Sequence, residues 1–318
     1  MIKFKNVEIT KVDFRSDNRL DNIQISKVIF DGIEVFSTGY SMGLFYGGHT
    51  GSSSDLTTRI DSSGTQIGNE TQLGTARYHL AGASIDQLGL FYGGSNRSNI
   101  TTRIDSSGTQ IGNEIQLGTA RAALAGTSID NIGLFYGGLI GSSLSYSNKT
   151  TRIDSIGIQI GNETSVGSAR QYLAGASLDQ LGLFYGGHTG SDSNKTTRID
   201  SSGIQIGNET SIGSARRNIA GVSLNQLGLF YGGSTGTGSY INLTTRIDSN
   251  GALIGNETSA GTARYSTAGA SIDQLGLFYG GYTGSNSTLT TRIDSSGTQI
   301  GNETSVGTAR QAISGASL

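Results

Sequence analysis

Four charged positions recur at fixed spacing along this chain and are the first candidates for chemistry. In the first repeat they are Arg59, Asp61, Glu70 and Arg77, and each later repeat has the same residue types. Such a set could form six copies of an ion or ligand site, or a structural ladder in which arginines pair with acidic groups within or between repeats. We favour the ladder, because an active site on a repeated scaffold usually breaks the symmetry of the repeats.

Calcium is the one metal that the repeat suggests. Asp61 and Gly64, followed by Asn69 and Glu70, bring several oxygen-bearing side chains close together in sequence. A calcium loop needs dense, alternating oxygen ligands, which this spacing does not provide. A turn explains the same residues more simply, because Asp and Ser favour turn starts and Gly supplies the positive φ. We therefore predict a turn and no metal site, with calcium as the alternative.

No set of residues predicts catalysis or a cofactor. The histidines are His49, His79 and His188, and the loops of His49 and His188 are three repeats apart, too far for one metal ion. The chain has no Cys, which excludes disulfides and thiolate metal sites. No Ser-His-Asp triad or pair of carboxylates stands out from the repeated residues. We predict a protein that is not an enzyme and binds no cofactor.

The charged positions belong to a repeat of 44 to 49 residues. The sequences GLFYGG and TTRID and a Thr/Ser-Ala-Arg element each occur six times in the same phase. A period of about 46 with short strand-like runs and glycine-rich turns indicates a propeller or another repeat array. The GLFYGG copies begin at Gly43, Gly89, Gly133, Gly182, Gly228 and Gly276.

Each repeat predicts four short antiparallel strands, which form the blade of a β-propeller. In the second repeat we expect strands over residues 78–85, 88–94, 101–105 and 109–116, with the small residues at 81–84 in the crowded innermost strand. The last repeat ends in a first strand without a second, and the first GLFYGG has no first strand before it. One blade therefore joins both ends and leaves no open edge. We predict an all-β fold, a six-bladed β-propeller closed by its C-terminal strand.

The composition changes near Thr38 and predicts two domains. The residues before Thr38 contain one Gly and 12 charged side chains, whereas the remaining 281 residues contain 49 Gly and 34 charges. Asp31-Gly32 between two apolar runs is a strong signal for a two-residue hairpin. We predict a small N-terminal β-hairpin segment over residues 1–38, which anchors the protein to a partner, and the propeller over residues 39–318.

The order of features in each repeat resembles the kelch repeat. In that family an apolar strand precedes a second strand ending in Gly-Gly, an aspartate-bearing third strand and an arginine before the next repeat. Here these features are Gly93-Gly94, Asp105 and Arg121, with equivalents throughout residues 40–318. The tryptophan usual in the fourth kelch strand is absent. The resemblance implies a propeller and, inside a bacterial cell, a protein–protein interaction scaffold.

The N-terminal segment is similar to those that open phage tail and virion accessory proteins. The similar stretches are ITKV at residues 9–12 and KVIFDGIEVF at residues 27–36. This likeness implies a location in the virion and docking on other virion proteins. We assign the docking to Phe30, Asp31, Gly32 and Ile33.

Differences among the repeats concentrate on one face of the predicted disc. The loops between the second and third strands change in length, and two residues vary after each Ala-Arg pair. Because successive strands alternate in direction, both places lie on the same face, which we call the variable face. Diversity confined to one face usually marks a binding surface. The varying pairs are Tyr78-His79, Ala122-Ala123, Gln171-Tyr172, Arg217-Asn218, Tyr265-Ser266 and Gln311-Ala312.

These patterns predict a non-enzymatic phage virion protein, associated with the tail or capsid, that binds a glycan or protein of the host surface. Tyrosine suits glycans, because its ring packs on sugar faces while its hydroxyl forms hydrogen bonds. The alternative is a kelch-like scaffold in the bacterial cytoplasm. The net charge of −2 argues against a nucleic-acid partner, and no apolar run is long enough to span a membrane. We assign ligand binding to His49, Arg97, Tyr146, Tyr240 and Tyr282.

Overall fold

The chain divides into two compact units, Met1–Tyr40 and Ser41–Leu318. The computed structural model describes five strands of the first unit and nearly all of the second. In the second unit the described residues are 42–318 without Asp86, residues 142–144, Asp179, Asn225 and Thr237.

The described parts of the first unit are short β-strands. The last two pair antiparallel with Phe30 opposite Ile33, which is the pairing of the predicted hairpin. Asp31 and Gly32 lie outside the described residues, and the docking role of these four residues stays a prediction. The strands are Val7–Glu8, Lys11–Phe14, Leu20–Gln24, Lys27–Phe30 and Ile33–Ser37.

The second unit is a six-bladed β-propeller, as predicted. Each blade is an antiparallel sheet of four strands, and each inner strand contacts the inner strands of both neighbouring blades. We number the blades from the one that contains the C-terminal strand. From the inner to the outer strand they are Ser314–Ser317, Met42–Tyr46, Leu56–Asp61 and Thr71–Gln72 in blade 1; Ala81–Ile85, Leu88–Tyr92, Ile100–Asp105 and Ile115–Gln116 in blade 2; and Ala125–Ile129, Ile132–Tyr136, Lys149–Ile153 and Thr164–Ser165 in blade 3.

The remaining blades follow the same order. Two of the loops on the variable face carry an extra two-stranded hairpin, Leu139–Ile140 with Ser145–Tyr146 in blade 3 and Ser234–Thr235 with Ser239–Tyr240 in blade 5. The strands are Ala174–Leu178, Leu181–Tyr185, Lys195–Asp200 and Thr210–Ser211 in blade 4; Ala220–Leu224, Leu227–Tyr231, Leu243–Ile247 and Thr258–Ser259 in blade 5; and Ala268–Ile272, Leu275–Tyr279, Ser287–Asp294 and Thr304–Arg310 in blade 6.

The outer strand is shorter than the sequence predicts. In blade 2 it spans Ile115–Gln116 and not residues 109–116, so that expectation was wrong. Gly112 has a φ of +66°, and the Gln110 side chain donates a hydrogen bond to the Gly112 carbonyl at 2.9 Å. Gln110 forms a single bridge with Ile104 of the third strand, and the chain then turns, so regular pairing resumes only at Ile115. The inner strand also begins later, at Ala81, because residues 78–80 connect the blades.

The two ends of the propeller join in blade 1. Ser314–Ser317 pairs antiparallel with Met42–Tyr46. The N–H groups of Met42 and Leu318 each donate to the other residue's carbonyl at 2.9 Å. The ring therefore closes through strand pairing, and the inner edge of Met42–Tyr46 is paired.

The GLFYGG sequence builds the core between the blades and begins each loop of the variable face. Phe45 and Tyr46 are fully buried, and the Tyr46 ring packs against Phe91 of blade 2 with 5.2 Å between ring centroids. The Tyr46 hydroxyl donates to two backbone carbonyls of its own blade at 3.1 and 2.9 Å. Gly47 and Gly48, with φ of +74° and +108°, then turn the chain out of the strand.

The inner strands approach each other too closely for a side chain at one position. A Cβ atom on Gly82 would lie 2.3 Å from the Gly315 carbonyl oxygen of blade 1. Two residues further along, the Ser84 N–H donates to the Ser128 hydroxyl oxygen at 2.6 Å, and the Ser317 N–H donates to that of Ser84 at 2.7 Å. Glycines and serines thus hold the inner strands together around the axis.

Candidate functional site

The repeated charges form a ladder between blades, as predicted. Arg77, in the connection from blade 1 to blade 2, is buried and donates to the Gly93 and Ile100 carbonyls at 2.7 and 2.8 Å. Its guanidinium lies 3.6 Å from the carboxylate of Glu114 in blade 2 and 5.9 Å from the ring centroid of Tyr46 in blade 1. The same ion pair recurs at the other five junctions. These residues hold neighbouring blades together.

The repeated aspartate closes a turn on the face opposite the variable one. The Asp61 Oδ1 atom accepts hydrogen bonds from the N–H groups of Ser63 and Thr65, both at 2.9 Å. This is the arrangement that the turn interpretation predicts. Within the described residues, no three His, Asp or Glu side chains lie close enough to hold a metal ion.

The glutamate of each ladder is held in its charged form. Burial opposes ionisation of Glu163, but hydrogen bonds from Thr119 and Thr151 and the charge of Arg121 outweigh it and lower its pKa to about 2. The pKa of Glu209 is lowered to about 2 by the same kinds of contact. The pKa values of the other four glutamates are also lowered, namely Glu70, Glu114, Glu257 and Glu303.

We expect acid to destabilise the propeller through these glutamates. Their pKa is lower in the folded chain than the ordinary value of 4.5, so the unfolded chain takes up protons first as the pH falls. For Glu163 and Glu209 the stabilisation is complete above about pH 5 and is lost as the pH falls from there to about 2. For Glu163 the shift corresponds to roughly 3 kcal/mol. Calorimetric melting temperatures should therefore fall steeply across this range.

A pair of variants tests the origin of this acid sensitivity. Glu163→Gln should melt lower than the wild type at pH 7, and the difference should narrow as the pH approaches 2, where about half of the wild-type carboxyls are protonated. Asp273→Asn, at an exposed position, should leave the melting temperature nearly unchanged at both pH values. If Glu163→Gln melts below the wild type by the same number of degrees at pH 2 as at pH 7, the charge of Glu163 is not the origin of the acid sensitivity.

One residue of each blade forms a hydrogen-bonded collar around the axis on the variable face. It is the second residue after each buried arginine, and all six have a φ between +53° and +56°. The His79 N–H donates to the Ala312 carbonyl at 3.0 Å, the Ala123 N–H donates to the His79 carbonyl at 2.9 Å, and the pattern continues around the ring. The collar residues are His79, Ala123, Tyr172, Asn218, Ser266 and Ala312.

A cavity of about 490 Å³ opens above the collar. Two groups of aromatic side chains contribute to its wall, and neighbouring rings within each lie 4.9 to 5.9 Å apart. Its volume is typical of a site for a small molecule. The first aromatic cluster comprises His49, Tyr78, His79 and Tyr172. In the second aromatic cluster, Tyr240 and Tyr265 line the cavity and Tyr282 packs against both.

Polar side chains complete the cavity wall. Arg217 is held by blade 4, because its Nε lies 3.5 Å from Asp192 Oδ1 and its Nη1 lies 3.2 Å from His188 Nδ1. Asp192 also accepts the Gly236 N–H at 2.7 Å. The charge of Arg217 is therefore balanced beside the cavity. The remaining polar lining consists of Asn218, Ser234, Ser266 and Gln311.

Three members of the aromatic clusters are uncharged near neutral pH. Burial, reinforced by the nearby His49, lowers the pKa of His79 to about 4. Burial also raises the pKa of Tyr172 and of Tyr265, so both hydroxyls keep their protons. These groups can accept and donate hydrogen bonds without bearing charge.

The structure brings together some of the residues assigned from sequence and separates others. His49 and Tyr240 line the cavity, and Tyr282 supports it from behind. Tyr146 packs instead against His188, with 5.9 Å between ring centroids. Arg97 lies in the blade 2 loop at a φ of +49° and is not among the residues that line the cavity.

Sequence reasoning did not select several residues at the centre of the site. They all belong to the varying pairs that follow the buried arginines, so the signal was present in the repeat alignment. Only the collar geometry shows that these six pairs converge on the axis, whereas the loops that we favoured surround it. The missed residues are Tyr78, His79, Tyr172, Arg217, Asn218 and Tyr265.

No protein-family model matches this chain, and a search of curated proteins finds no match. The architecture therefore rests on the structure and the sequence repeat. Among the described residues there is no helix with the length and apolar character of a membrane span.

Proposed function

We propose that this chain is a non-enzymatic recognition protein of a phage virion, and that its propeller binds a component of the host surface at the central cavity. The observation that carries the proposal is the place at which the six blades stop being alike. The arginine ladder, the core between blades and the inner glycines repeat in all six blades. The cavity is instead lined by different side chains from different blades. A surface with one distinct shape suits one distinct ligand.

The collar conformation supports a binding role. A positive φ is unfavourable for any residue with a side chain, and this chain uses Gly at most such positions in its described part. The collar nevertheless holds a side chain in every blade, and four of these, from His79, Tyr172, Asn218 and Ser266, are polar or aromatic groups that line the cavity. The chain keeps these side chains although the backbone conformation is unfavourable for them, which supports a role of the side chains in binding.

The virion location and the anchoring role of residues 1–38 rest on the likeness of that segment to openings of phage tail and virion accessory proteins. A second candidate function is a kelch-like scaffold in the bacterial cytoplasm. The order of Gly-Gly, Asp and Arg in each repeat favours it, and the cavity would then receive a side chain of a protein partner.

Two measurements on the intact chain test the proposal. Antibodies raised against the propeller should label intact virions in electron micrographs, and the purified, fluorescently labelled protein should bind cells of the host bacterium saturably. Unlabelled virions together with a failure to bind cells would overturn the proposal. Recovery of the protein with a soluble bacterial partner would then favour the scaffold.

A further inference from the structure

Below the collar the axis continues as a narrow well of about 60 Å³. It is lined by the collar residues and by the next residue of each blade. At this second level five blades have a branched aliphatic side chain, and blade 6 has a threonine. The six residues are Leu80, Leu124, Leu173, Ile219, Thr267 and Ile313.

The Thr267 hydroxyl is a buried polar group for which the described residues provide no hydrogen-bond partner. The residue is only 6% exposed, and its Oγ1 atom has no hydrogen-bond partner within the part of the chain that the structure describes. A buried hydroxyl without a partner costs free energy, so native structures usually supply one. Thr267 lines the well, but its Oγ1 atom is itself buried, so a group that enters from the cavity reaches the hydroxyl only once the side chain has rotated about χ1.

Other buried threonine hydroxyls also lack a partner, but their distribution is different. They are the first threonines of the TTRID sequences, they recur in all six blades, and none of them lines the cavity or the well. They are a property of the repeated scaffold, exemplified by Thr57 and Thr101. Thr267 occurs in one blade only and lies on the axis, which associates it with the asymmetric site.

The charges around the cavity select against an ionic ligand. Arg217 is paired with Asp192, and hydrogen bonds fix both groups. A charged ligand would have to give up water without gaining a free counter-charge, which is costly. An uncharged ligand with several hydroxyl groups avoids this cost and can use Asn218, Ser266 and Gln311 as partners.

We propose that the cavity binds an uncharged hexopyranose, an inference that rests on the recognition function proposed above. The apolar face of the sugar ring packs on the aromatic clusters, since tyrosine combines an apolar ring with a polar hydroxyl. The ring hydroxyls bind the polar wall, and the exocyclic hydroxymethyl group enters the well, where the Thr267 side chain rotates to form a hydrogen bond with it.

Calorimetric titration of the intact chain tests this inference with defined probes. The neutral probes are the methyl glycosides of glucose, galactose, mannose and N-acetylglucosamine, and the charged comparators are N-acetylneuraminate and glucuronate. We expect at least one neutral glycoside to bind in preference to the charged sugars. Thr267→Val should weaken its binding about two- to tenfold, the effect of losing one uncharged hydrogen bond.

Stability and a matched variant separate binding from folding. Thr267→Val should melt at the wild-type temperature or higher, because a methyl group replaces a hydroxyl without a partner. Thr101→Val, buried and equally without a hydroxyl partner but remote from the cavity, should leave sugar affinity unchanged.

Equal sugar affinities of Thr267→Val and the wild type, preference for the charged sugars, or no sugar binding would overturn the hexopyranose assignment. Host-cell binding that persists in any of these cases would leave the recognition function standing and direct it to another ligand class. Failure of the wild type to bind either cells or sugars, together with unlabelled virions, would refute both proposals.

Discussion

Deletion of residues 311–318 is expected to lower the melting temperature of the propeller by roughly 15 °C or more, or to abolish cooperative unfolding. The deletion removes the inner strand of blade 1 and exposes the edge of Met42–Tyr46. It also removes Ala312 from the collar and Ser317 from the contacts around the axis. Differential scanning calorimetry measures the effect directly.

A point variant examines the same closure without shortening the chain. Arg310 is fully buried, donates to the Gly47 and Leu56 carbonyls at 2.8 and 2.7 Å, and lies 3.3 Å from Glu70. Arg310→Met should cost about 3–5 kcal/mol, because it leaves the Gly47 and Leu56 carbonyls without their donor and removes the cation beside Glu70. The control is Arg59→Met, at a partly exposed arginine, which should change stability little. A deletion variant that melts within the error of the wild type would contradict closure of the ring.

Combined substitution of Tyr78→Ala and Tyr265→Ala is expected to weaken host-cell binding more than 100-fold, since buried aromatic anchors at a binding site contribute about 2 kcal/mol or more each. The two residues take one ring from each aromatic cluster. Both are half-buried at the variable face, so the melting temperature should change by only a few degrees. Flow cytometry with labelled protein measures the binding.

The opposite face offers a matched control of exposed apolar residues. Ile156 and Ile158 are 57% and 51% exposed and follow the third strand of blade 3, where the chain emerges on that face. The variant Ile156→Ala with Ile158→Ala removes apolar surface of a similar kind without touching the cavity. It should keep wild-type binding. Equal losses from the two double variants would show that binding does not depend on the cavity.

The number of blades and their closure were predictable because they depend on the period of the repeat. The order of Gly43, Arg59 and Arg77 recurs in every unit, and a missing first strand at one end matches an unpaired one at the other. The arginine ladder followed from the same regularity. Strand lengths were less predictable. The sequence pattern of residues 109–116 predicts one continuous outer strand, but the positive φ of Gly112 and the hydrogen bond from the Gln110 side chain interrupt it.

The centre of the site was only half predictable. Variation at His79 and Tyr172 was visible in the aligned repeats, but neighbours on the axis are about 45 residues apart in sequence, a separation that follows from the blade period. Their convergence depends on the left-handed backbone conformation at each collar position, which the residue types at these positions do not predict. Tyr146 was chosen for its chemistry, and the structure places it against His188 instead.

Hydroxyl-radical footprinting on virions or purified protein, with and without host envelope material, tests recognition at the cavity most directly. We expect strong protection of Tyr78, Tyr240 and Tyr265 when the host material is bound, and no change at Ile156 and Ile158. Protection of the isoleucines with the cavity tyrosines left reactive would contradict the account.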